Sequence, residues 1–265
     1  MVTSDVDNFP GFPQGILGPE LMENLRKQAE RFGPEIIYDD VSKVDFRQRP
    51  FKITAGKSTY LGNAVIIATG ANARWLNLPS ETKFKGHGVS SCATCDGFFF
   101  KDKEVVVVGG GDTAMEEASF LANIARKVTV VHRRDKLRAS QIMQERVMMN
   151  SKIGFAWDSK VQEVLGNEKV TGVRLENVKN GRETVVNADG IFVAIGYDPN
   201  TEVFQGGIEL DAKGYIVTRN ETETSVPGIF AAGDVRDYRY RQAVTAAADG
   251  CKAAIDADRF LAEHP

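Results

Sequence analysis

The sequence predicts an α/β protein built around a strand, a glycine turn, a helix and a second strand. Three observations lead to this fold class. Residues 105–108 form a continuous apolar run, and the pattern Gly-x-Gly-x-x-Ala follows at residues 109–114. A helical stretch with small apolar residues on one side comes next, and residues 128–131 form a second apolar run about 20 residues after the first. This order is typical of a dinucleotide-binding unit with parallel strands.

The composition predicts a globular protein of one large or two ordinary domains. The chain has 265 residues, of which 42% are hydrophobic and 26% are charged. Its net charge of −3 does not indicate a nucleic-acid partner. No apolar run approaches the length of a membrane span, so no membrane partner is predicted. Residues 1–5 lack the basic start and apolar core of a signal peptide, and a cytoplasmic location is therefore predicted.

The first part of the chain predicts one helix and several short strands. A helix is expected to begin near Pro19, with an apolar stripe from Leu21 to Phe32 that faces the core. Strands are predicted at residues 36–38, 44–46, 51–54 and 64–68. The last of these is continuously apolar and is predicted to be buried on both faces. It ends at Thr69 and Gly70, which form either a place where a ligand approaches the backbone or a simple tight turn.

A cysteine pair precedes the first strand of the nucleotide unit. Cys92 and Cys95 form a Cys-x-x-Cys motif, and Asp96 follows directly. This spacing suits dithiol–disulfide exchange, because one thiol of such a pair commonly has a lowered pKa. Asp96 can then shuttle the proton as the thiolate forms and is quenched.

Two alternatives to redox use of this pair are half of a zinc site and plain structural thiols. Zinc needs about two further ligands. The remaining candidates are scattered along the sequence: Cys251, His87, His132 and His264. No metal site is therefore predicted. Cys251 lies in an alanine-rich helical stretch and is expected to be a core residue.

Each small residue of the glycine turn has a predicted purpose. Gly109 allows a tight turn, and Gly111 lets the backbone approach a pyrophosphate. Ala114 keeps the helix close to the strand. The interpretation is stronger than for an isolated glycine motif, because the required strands and helix surround it.

The end of the second strand predicts which dinucleotide binds. An NAD site usually has an acidic residue there, which binds the ribose 2′-hydroxyl. This chain has His132, Arg133 and Arg134 instead, with Arg138 four residues after the last of them. Cations at this position attract a 2′-phosphate, so NADPH is favoured over NADH. The alternative is a basic cluster that is merely solvated.

The second half of the chain predicts more strands and a final helix. The strands are expected at residues 160–165, 170–176, 184–188 and 191–195. Asn180 and Gly181 indicate a hairpin between the second and third of these. A short buried strand ends at Gly233 and Asp234, and Asp234 either accepts a hydrogen bond from a ribityl-type hydroxyl or caps the next helix. That helix is predicted over residues 241–261.

Electron transfer between a nicotinamide and a disulfide normally passes through a flavin, because thiol exchange does not accept a hydride directly. The sequence resembles the family of low-molecular-weight, bacterial-type thioredoxin reductases. Five segments carry the resemblance, namely residues 7–11, 92–99, 109–118, 132–138 and 228–235 with 241–243. The similarity runs along the whole chain.

The resemblance implies a reaction, its cofactors and its partner. NADPH would reduce FAD, FAD would reduce the Cys92–Cys95 pair, and the dithiol would reduce thioredoxin. In the family, the residue at Cys95 faces the flavin, the residue at Cys92 attacks the substrate disulfide and the residue at Asp96 is the acid/base. A different disulfide carrier is the alternative substrate. The family is homodimeric.

The resemblance also implies the fold, the domains and the binding residues. The fold is the two-domain FAD/NAD(P)-binding fold of the pyridine nucleotide-disulfide oxidoreductases. Residues 1–72 and 202–265 would form the FAD domain, and residues 73–201 the NADPH domain with the cysteine pair. The residues expected to bind NADPH are Gly109, Gly111, Asp112, Thr113, Ala114, His132, Arg133, Arg134 and Arg138. Those expected to bind FAD are Asn8, Thr69, Gly70, Gly233, Asp234, Arg241, Gln242 and Ala243.

The chain departs from the family pattern at its start. The family begins with a strand, a glycine-rich turn and a helix that bind the ADP half of FAD. The one Gly-x-Gly-x-x-Ala turn of this chain lies at residues 109–114 and is already used for NADPH. We therefore expect an N-terminally truncated form of the fold. The alternative function is a truncated NADPH-binding remnant with impaired flavin binding and little turnover.

Overall fold

The computed structural model describes residues 5–265. The first four residues, on which the signal-peptide inference partly rests, lie outside the described residues. The strands are β1 (Asp5–Val6), β2 (Ile16–Leu17), β3 (Val41–Asp45), β4 (Phe51–Ala55), β5 (Ser58–Gly62), β6 (Val65–Ile67), β7 (Ala71–Ala73), β8 (Val89–Ser90), β9 (Glu104–Val108), β10 (Lys127–Val131), β11 (Ile153–Ala156), β12 (Ser159–Gly166), β13 (Val170–Asn177), β14 (Glu183–Asn187), β15 (Gly190–Val193), β16 (Tyr197–Pro199) and β17 (Ile229–Ala231). The helices are α1 (Gly18–Glu30), α2 (Pro79–Lys83), α3 (Ala93–Asp96), α4 (Asp112–Ala122), α5 (Gln141–Met148) and α6 (Ala243–Glu263). Short 3₁₀ helices occupy Gly97–Phe100, Glu202–Phe204 and Gly233–Val235.

The chain divides into two compact units. The first contains residues 5–28 and 73–196, and the second contains residues 29–72 and 197–265. The first unit carries the cysteine pair and the glycine turn. The second carries the turns at Thr69 and Gly233. Residues 5–28 group with the first unit, whereas the predicted division places them in the FAD domain. Which part of the chain binds which cofactor stays a prediction.

A five-stranded parallel sheet forms the centre of the first unit, in the order β11-β10-β9-β15-β8. Strands β9 and β10 pair in parallel, with Glu104 opposite Lys127 and Val108 opposite Val131. Because α4 connects them, the predicted strand–turn–helix–strand unit is confirmed. The four valines of β9 are buried, and each such side chain contributes about 1.5–3 kcal/mol to the free energy of folding.

A three-stranded antiparallel sheet, β12-β13-β14, completes the first unit. The hairpin predicted between its last two strands is confirmed. Gly181 adopts a φ of +72° there, and its backbone N–H donates to the carbonyl oxygen of Asn177 at 2.8 Å. A glycine adopts this left-handed backbone without strain, which is why Asn-Gly marks the turn.

Two small sheets and α6 position the turns of the second unit. Strands β3, β4 and β5 form an antiparallel sheet, and β6 pairs in parallel with β17. Helix α6 buries Ala253 and Ala257 against Phe230 of β17. The pairing of β6 with β17 places the turns that follow these two strands at the same edge of the sheet. Among the helices of residues 5–265, none combines the length and the apolar character that a membrane span requires.

Three expectations about the second unit are wrong. Residues 36–38 form no strand, because no neighbouring strand among the described residues takes up their backbone hydrogen bonds. Strand β6 is not buried on both faces, since Ile66 is 40% exposed. Cys251 is exposed, because it lies off the stripe of α6 that buries residues 249, 253 and 257.

The apolar stripe of α1 is also only partly a core feature. Leu21 is buried, as predicted, but Leu25 is partly exposed and Phe32, which lies beyond the end of the helix, is 82% exposed. Helical spacing predicts which residues share a face, and it does not show whether another element covers the whole of that face.

Candidate active site

Cys92 and Cys95 form a disulfide bond, with their Cα atoms 5.3 Å apart. Cys92 occupies the N-cap position of α3, and Cys95 lies within that helix. Because one helical turn brings residues three apart to the same side, the motif suits a bond between the two sulfurs. The backbone N–H of Cys92 donates to the hydroxyl of Ser90 at 3.0 Å, which holds the start of the motif. The predicted Cys-x-x-Cys pair is thus closed as a disulfide, the form from which dithiol–disulfide exchange proceeds.

The disulfide is half-buried and has polar neighbours. The hydroxyl oxygen of Thr94 lies 3.4 Å from Sγ of Cys92. Asp96 is half-buried and donates its backbone N–H to the carbonyl oxygen of Cys92 at 3.1 Å. Phe98 and Phe99, directly after the motif, are exposed. Asp96 thus lies in the same helical turn as the disulfide, and its acid/base role stays a prediction.

The glycine turn combines one crowded position with one open position. Gly109 has a φ of +154°, and a β-carbon there would overlap the carbonyl oxygen of Ala194 and lie 2.7 Å from Cβ of Ala114. A β-carbon on Gly111 would meet no atom within 4 Å. Gly111 is also the N-cap of α4 and supplies no side-chain cap. Open space at a helix N-terminus favours a phosphate group, because the helix presents N–H groups and a partial positive charge there.

The segment after β10 folds back onto this turn. The carbonyl oxygen of Gly110 accepts hydrogen bonds from the backbone N–H groups of Arg138 at 2.7 Å and Ala139 at 3.1 Å. Asp112 accepts two further bonds with Oδ1, from the backbone N–H and the hydroxyl of Ser140, both at 2.8 Å. Thr113 follows Asp112 in the first turn of α4 and is half-buried. These contacts bring the predicted pyrophosphate turn and the predicted 2′-phosphate segment together.

The basic segment separates one buried residue from three exposed ones. Arg133, Arg134 and Arg138 are exposed. His132 is only 5% exposed, and burial lowers the pKa of its imidazole, with a further contribution from the neighbouring arginines. The three arginines therefore offer charge to a ligand, whereas His132 points into the protein. That the three arginines bind a 2′-phosphate stays a prediction.

In the second unit, Asn200 holds the turn at Thr69 and Gly70. The hydroxyl of Thr69 donates to the carbonyl oxygen of Asn200 at 2.8 Å, and the amide of Asn200 donates to the carbonyl oxygen of Thr69 at 2.8 Å. The backbone N–H of Asn200 donates to the carbonyl oxygen of Gly70 at 3.0 Å. Sequence reasoning missed Asn200, because it lies 131 residues from Thr69 and only the fold brings the two together.

The turn after β17 places Asp234 in a partly buried position. Burial raises the pKa of Asp234 to about 6, and the neighbouring carboxylate of Asp237 adds to the shift. Helix α6 is capped instead by Gln242, which exchanges hydrogen bonds with Thr245 in a capping box. The alternative in which Asp234 caps the following helix is therefore wrong. A half-buried acid at the end of a strand is an available hydrogen-bond partner for a ligand hydroxyl.

Arg241 lies just before α6, of which Ala243 is the first residue, and its environment indicates a missing partner. It has a φ of +51°, a left-handed backbone conformation that is strained for a residue with a side chain. Its guanidinium lies 4.1 Å from the ring centroid of Tyr197. Among the described residues, its Nε atom is buried without a hydrogen-bond partner. A buried donor of this kind fits a ligand that supplies an oxygen acceptor.

Two further sequence expectations concern Asn8 and metal binding. Asn8 is exposed in the loop between β1 and β2 of the first unit, and its contact with a flavin stays a prediction. Over residues 5–265, no group of three or more histidine, cysteine, aspartate or glutamate side chains is arranged to hold a metal ion.

Comparison with known protein families shows one match over most of the chain. The family model described as pyridine nucleotide-disulphide oxidoreductase matches residues 3–250. A thioredoxin reductase of Streptomyces coelicolor is 54% identical over 264 residues, covering 99% of this chain and 82% of that protein. A thioredoxin reductase of Rickettsia conorii is 53% identical over 265 residues, covering 98% of this chain and 86% of that protein.

Solved structures give the same result at the level of the fold. Thioredoxin reductase from Giardia duodenalis is similar with a TM-score of 0.94 at 48% identity, covering 98% of this chain and 86% of that one. The enzyme from Streptococcus pyogenes is similar with a TM-score of 0.93 at 44% identity, covering 98% and 85% respectively.

Proposed function

This chain belongs to the pyridine nucleotide-disulphide oxidoreductase family, and from that premise we propose that it reduces the disulfide of thioredoxin with electrons from NADPH. It is an NADPH-dependent thioredoxin-disulfide reductase. The observation that carries this function is the half-buried Cys92–Cys95 disulfide, which lies in the same unit as the glycine turn of a dinucleotide-binding fold.

The family uses FAD and NADPH, and two groups of residues fit these molecules. The residues that would hold NADPH lie in the glycine turn, in the first turn of α4 and in the basic segment that folds back onto Gly110, namely Gly109, Gly111, Asp112, Thr113, Ala114, Arg133, Arg134 and Arg138. Those that would hold FAD are Asn8, Thr69, Gly70, Gly233, Asp234, Arg241, Gln242 and Ala243. The open space at Gly111 and the unpartnered Nε of Arg241 within the described chain support this fit. When bound, NADPH and FAD supply the two electrons that open the disulfide.

The opened cysteine pair then performs two thiol exchanges. The thiolate of Cys92 bonds to one sulfur of the thioredoxin disulfide, and the other thioredoxin sulfur leaves as a thiolate. The thiolate of Cys95 next bonds to the sulfur of Cys92 and releases the second thioredoxin sulfur. Two electrons pass to thioredoxin, and the Cys92–Cys95 disulfide is restored. The 3.4 Å contact from the hydroxyl of Thr94 to Sγ of Cys92 supports Cys92 as the attacking thiolate, because a hydroxyl can donate to a sulfur anion.

Asp96 handles the protons of these exchanges. It accepts the proton of one thiol as the thiolate forms, and it returns a proton to the sulfur that leaves. Its place in the same helical turn as the cysteines supports this role, since a proton carrier must lie within reach of the sulfurs.

The oligomeric state and the location are also part of the proposal. We propose a homodimer, on the resemblance to the family. We propose a cytoplasmic location because the dithiol form of Cys92 and Cys95 must persist between turnovers, which a reducing compartment favours.

The test is an assay of NADPH consumption with oxidised thioredoxin and added FAD. The wild-type chain is expected to consume NADPH only when thioredoxin disulfide is present. Cys92→Ser and Cys95→Ser are expected to lose at least a hundredfold in rate, because neither variant can complete the exchange. Cys251→Ser is the matched control and should keep the wild-type rate, since Cys251 is a free, exposed cysteine on α6 of the second unit.

Each other outcome contradicts a stated part of the proposal. A folded chain that binds NADPH but shows no turnover with excess FAD would be an NADPH-binding remnant. A chain that reduces another disulfide carrier and leaves thioredoxin oxidised would have a different substrate. Full activity in Cys92→Ser would remove the cysteine pair from the mechanism.

A further inference from the structure

His132 occupies a position in the nucleotide site that differs from that of the arginines beside it. It follows β10 directly and is 5% exposed. Both of its backbone groups are bonded, because its N–H donates to the carbonyl oxygen of Ala156 at 3.0 Å and its carbonyl oxygen accepts from the N–H of Ser159 at 2.9 Å. Its ring and that of Trp157 meet in a T-shaped arrangement, with 6.4 Å between their centroids. The imidazole is therefore held on several sides by the protein itself.

The imidazole lies against the middle glycine of the turn. A β-carbon on Gly110 would overlap Cε1 and Nδ1 of His132 and would lie 2.7 Å from Nε2. Gly110 does not have a positive φ, so its backbone conformation would accept alanine. What requires glycine at this position is the ring of His132 and not the shape of the turn.

The same ring is bonded to the basic segment. Nε2 of His132 lies 3.0 Å from the carbonyl oxygen of Lys136. A carbonyl oxygen only accepts, so Nε2 carries the hydrogen and the ring is the neutral Nε2–H tautomer when Nδ1 is unprotonated. Burial, together with the charges of Arg133, Arg134 and Arg138, lowers the pKa of His132, while the bond to Lys136 acts in the opposite direction. The neutral form is thus favoured near neutral pH.

We propose that His132 is a positioning residue that couples the glycine turn to the basic segment, and that it is not itself a ligand of the 2′-phosphate. Its ring sets the position of Gly110, whose carbonyl oxygen accepts from Arg138 and Ala139. Its Nε2–H holds the backbone of Lys136, which lies in the sequence between Arg134 and Arg138. The arginines supply the charge, and His132 supplies the geometry that keeps them beside the turn. This inference rests on the proposed binding of NADPH at that turn.

Nitrogen NMR of the histidine rings tests the proposal, since the chain has only three histidines. Variants His87→Gln and His264→Gln assign the signals. In the free protein, His132 is expected as the Nε2–H tautomer with a pKa below its usual value. Added NADPH should leave its ring neutral at pH 7. A ring that becomes protonated when NADPH binds would instead be a phosphate ligand, and the proposal would be overturned.

Coenzyme binding, followed by fluorescence titration, gives a second measurement. His132→Leu removes the donor to Lys136 and is expected to weaken NADPH binding about tenfold, the effect of one lost ordering contact. His132→Gln keeps a neutral donor near the Nε2 position and should recover most of that loss. The exposed His87 gives the matched control, since His87→Gln should bind NADPH as the wild type does. Equal weakening in His132→Gln and His132→Leu would contradict the proposal.

A double-mutant cycle on stability separates this inference from the proposed function, because it needs no coenzyme. Gly110→Ala should lower the thermal midpoint through its clash with the ring. Adding His132→Ala to that variant should recover part of the loss. The double mutant should therefore be more stable than the sum of the two single changes predicts. Simple additivity of the two changes would show that ring and glycine are not coupled. If the cycle shows coupling while NADPH fails to bind, the proposed function fails and the contact between His132 and Gly110 stands.

Discussion

Asp249 of α6 accepts a 2.8 Å hydrogen bond from Nη1 of Arg236 and a 3.3 Å hydrogen bond from the backbone N–H of Gly233 with the same carboxylate oxygen. Asp249 is buried, and Arg236 also donates from Nε to the hydroxyl of Thr218 at 3.1 Å. This carboxylate therefore ties the final helix to the turn that carries Asp234. A proposed flavin-binding turn is held by residues that need not touch the flavin.

Asp249→Ala is expected to destabilise the second unit. The change removes the carboxylate that balances the charge of the partly buried Arg236 guanidinium, which costs about 2–4 kcal/mol in the free energy of unfolding. Urea unfolding followed by circular dichroism measures the change. Asp258→Ala on the exposed side of the same helix is the control and should alter stability by less than about 0.5 kcal/mol.

Flavin binding adds a second measurement for the same pair. Asp249→Asn keeps an acceptor for the N–H of Gly233 and removes the charge, so it is expected to weaken FAD binding less than Asp249→Ala does. If Asp249→Ala and Asp258→Ala had the same stability and the same FAD affinity, the ion pair with Arg236 would have no positioning role.

Gly109→Ala is expected to affect stability, and Gly111→Ala is expected to affect NADPH binding. At Gly109 the φ of +154° and the overlap with the carbonyl oxygen of Ala194 both oppose a side chain, so the variant should lose about 2–4 kcal/mol of unfolding free energy. At Gly111 a β-carbon meets no atom within 4 Å, so stability should change little. The added methyl group there would instead occupy the space proposed for the pyrophosphate, and the KM for NADPH should rise at least tenfold.

Thermal unfolding and NADPH titration of both variants distinguish these outcomes. Gly111→Ala with unchanged NADPH affinity would place the pyrophosphate elsewhere. Gly109→Ala with unchanged stability would contradict the close approach of the turn to Ala194.

Asp234→Asn is expected to stabilise the fold at neutral pH. The pKa of Asp234 is raised to about 6, above an ordinary value of about 3.9 for aspartate, so the folded state binds a proton more tightly than the unfolded state does. The free energy of unfolding therefore falls as pH rises from about 4 to about 6, and the full penalty remains above that range. Asparagine removes this penalty. The free energy of unfolding of Asp234→Asn should therefore be about 1–2 kcal/mol higher than that of the wild type at pH 8, after allowance for the solvent contact of a half-buried group.

Urea unfolding at several pH values checks this prediction. The stability advantage of Asp234→Asn should shrink as the pH is lowered towards about 4 and should vanish below that, where the wild-type carboxyl is protonated in both states. FAD binding should weaken in the same variant, because the proposed partner of the ribityl hydroxyl loses its carboxylate. An advantage that did not vary with pH would show that the pKa of Asp234 is not raised.

The sequence predicts those parts of the molecule whose causes are local. The strand at residues 105–108, its glycine turn and α4 were predictable because periodicity and turn chemistry act over a few residues. The disulfide between Cys92 and Cys95 spans a single helical turn and was predictable for the same reason. The basic segment was located by its fixed offset after the turn, and its contact with Gly110 agrees with that location, whereas its binding of NADPH stays a prediction.

Other features depend on contacts between distant residues. Asn200 supports the turn at Thr69, from which it is separated by 131 residues, and no pattern near either residue predicts their contact. In the sequence, nothing distinguishes Asp249 from the other polar residues of this alanine-rich helix, although it is buried against Arg236. Cys251 was predicted to be buried from its residue type, whereas its exposure is set by which face of α6 meets β17.

The reactivity of the three cysteines provides a final prediction. In the oxidised protein, Cys92 and Cys95 are bonded to each other and Cys251 is exposed, so a thiol reagent should modify one group per chain. After reduction and removal of the reductant under argon, three groups per chain should react, since the chain has three cysteines. The Cys251→Ser variant should give none before reduction and two after it.

Mass spectrometry of the labelled chain assigns each modified residue. Label on Cys92 or Cys95 before reduction would show that the pair is not a disulfide in the resting protein. An unlabelled Cys251 would show that another surface covers this face of α6 in solution. The same labelling can be done on Cys251→Ser with NADPH and FAD in place of the chemical reductant. The appearance of two labelled groups would then connect the nucleotide site to the Cys92–Cys95 pair, because this is the one disulfide that the cysteines of a single Cys251→Ser chain can form.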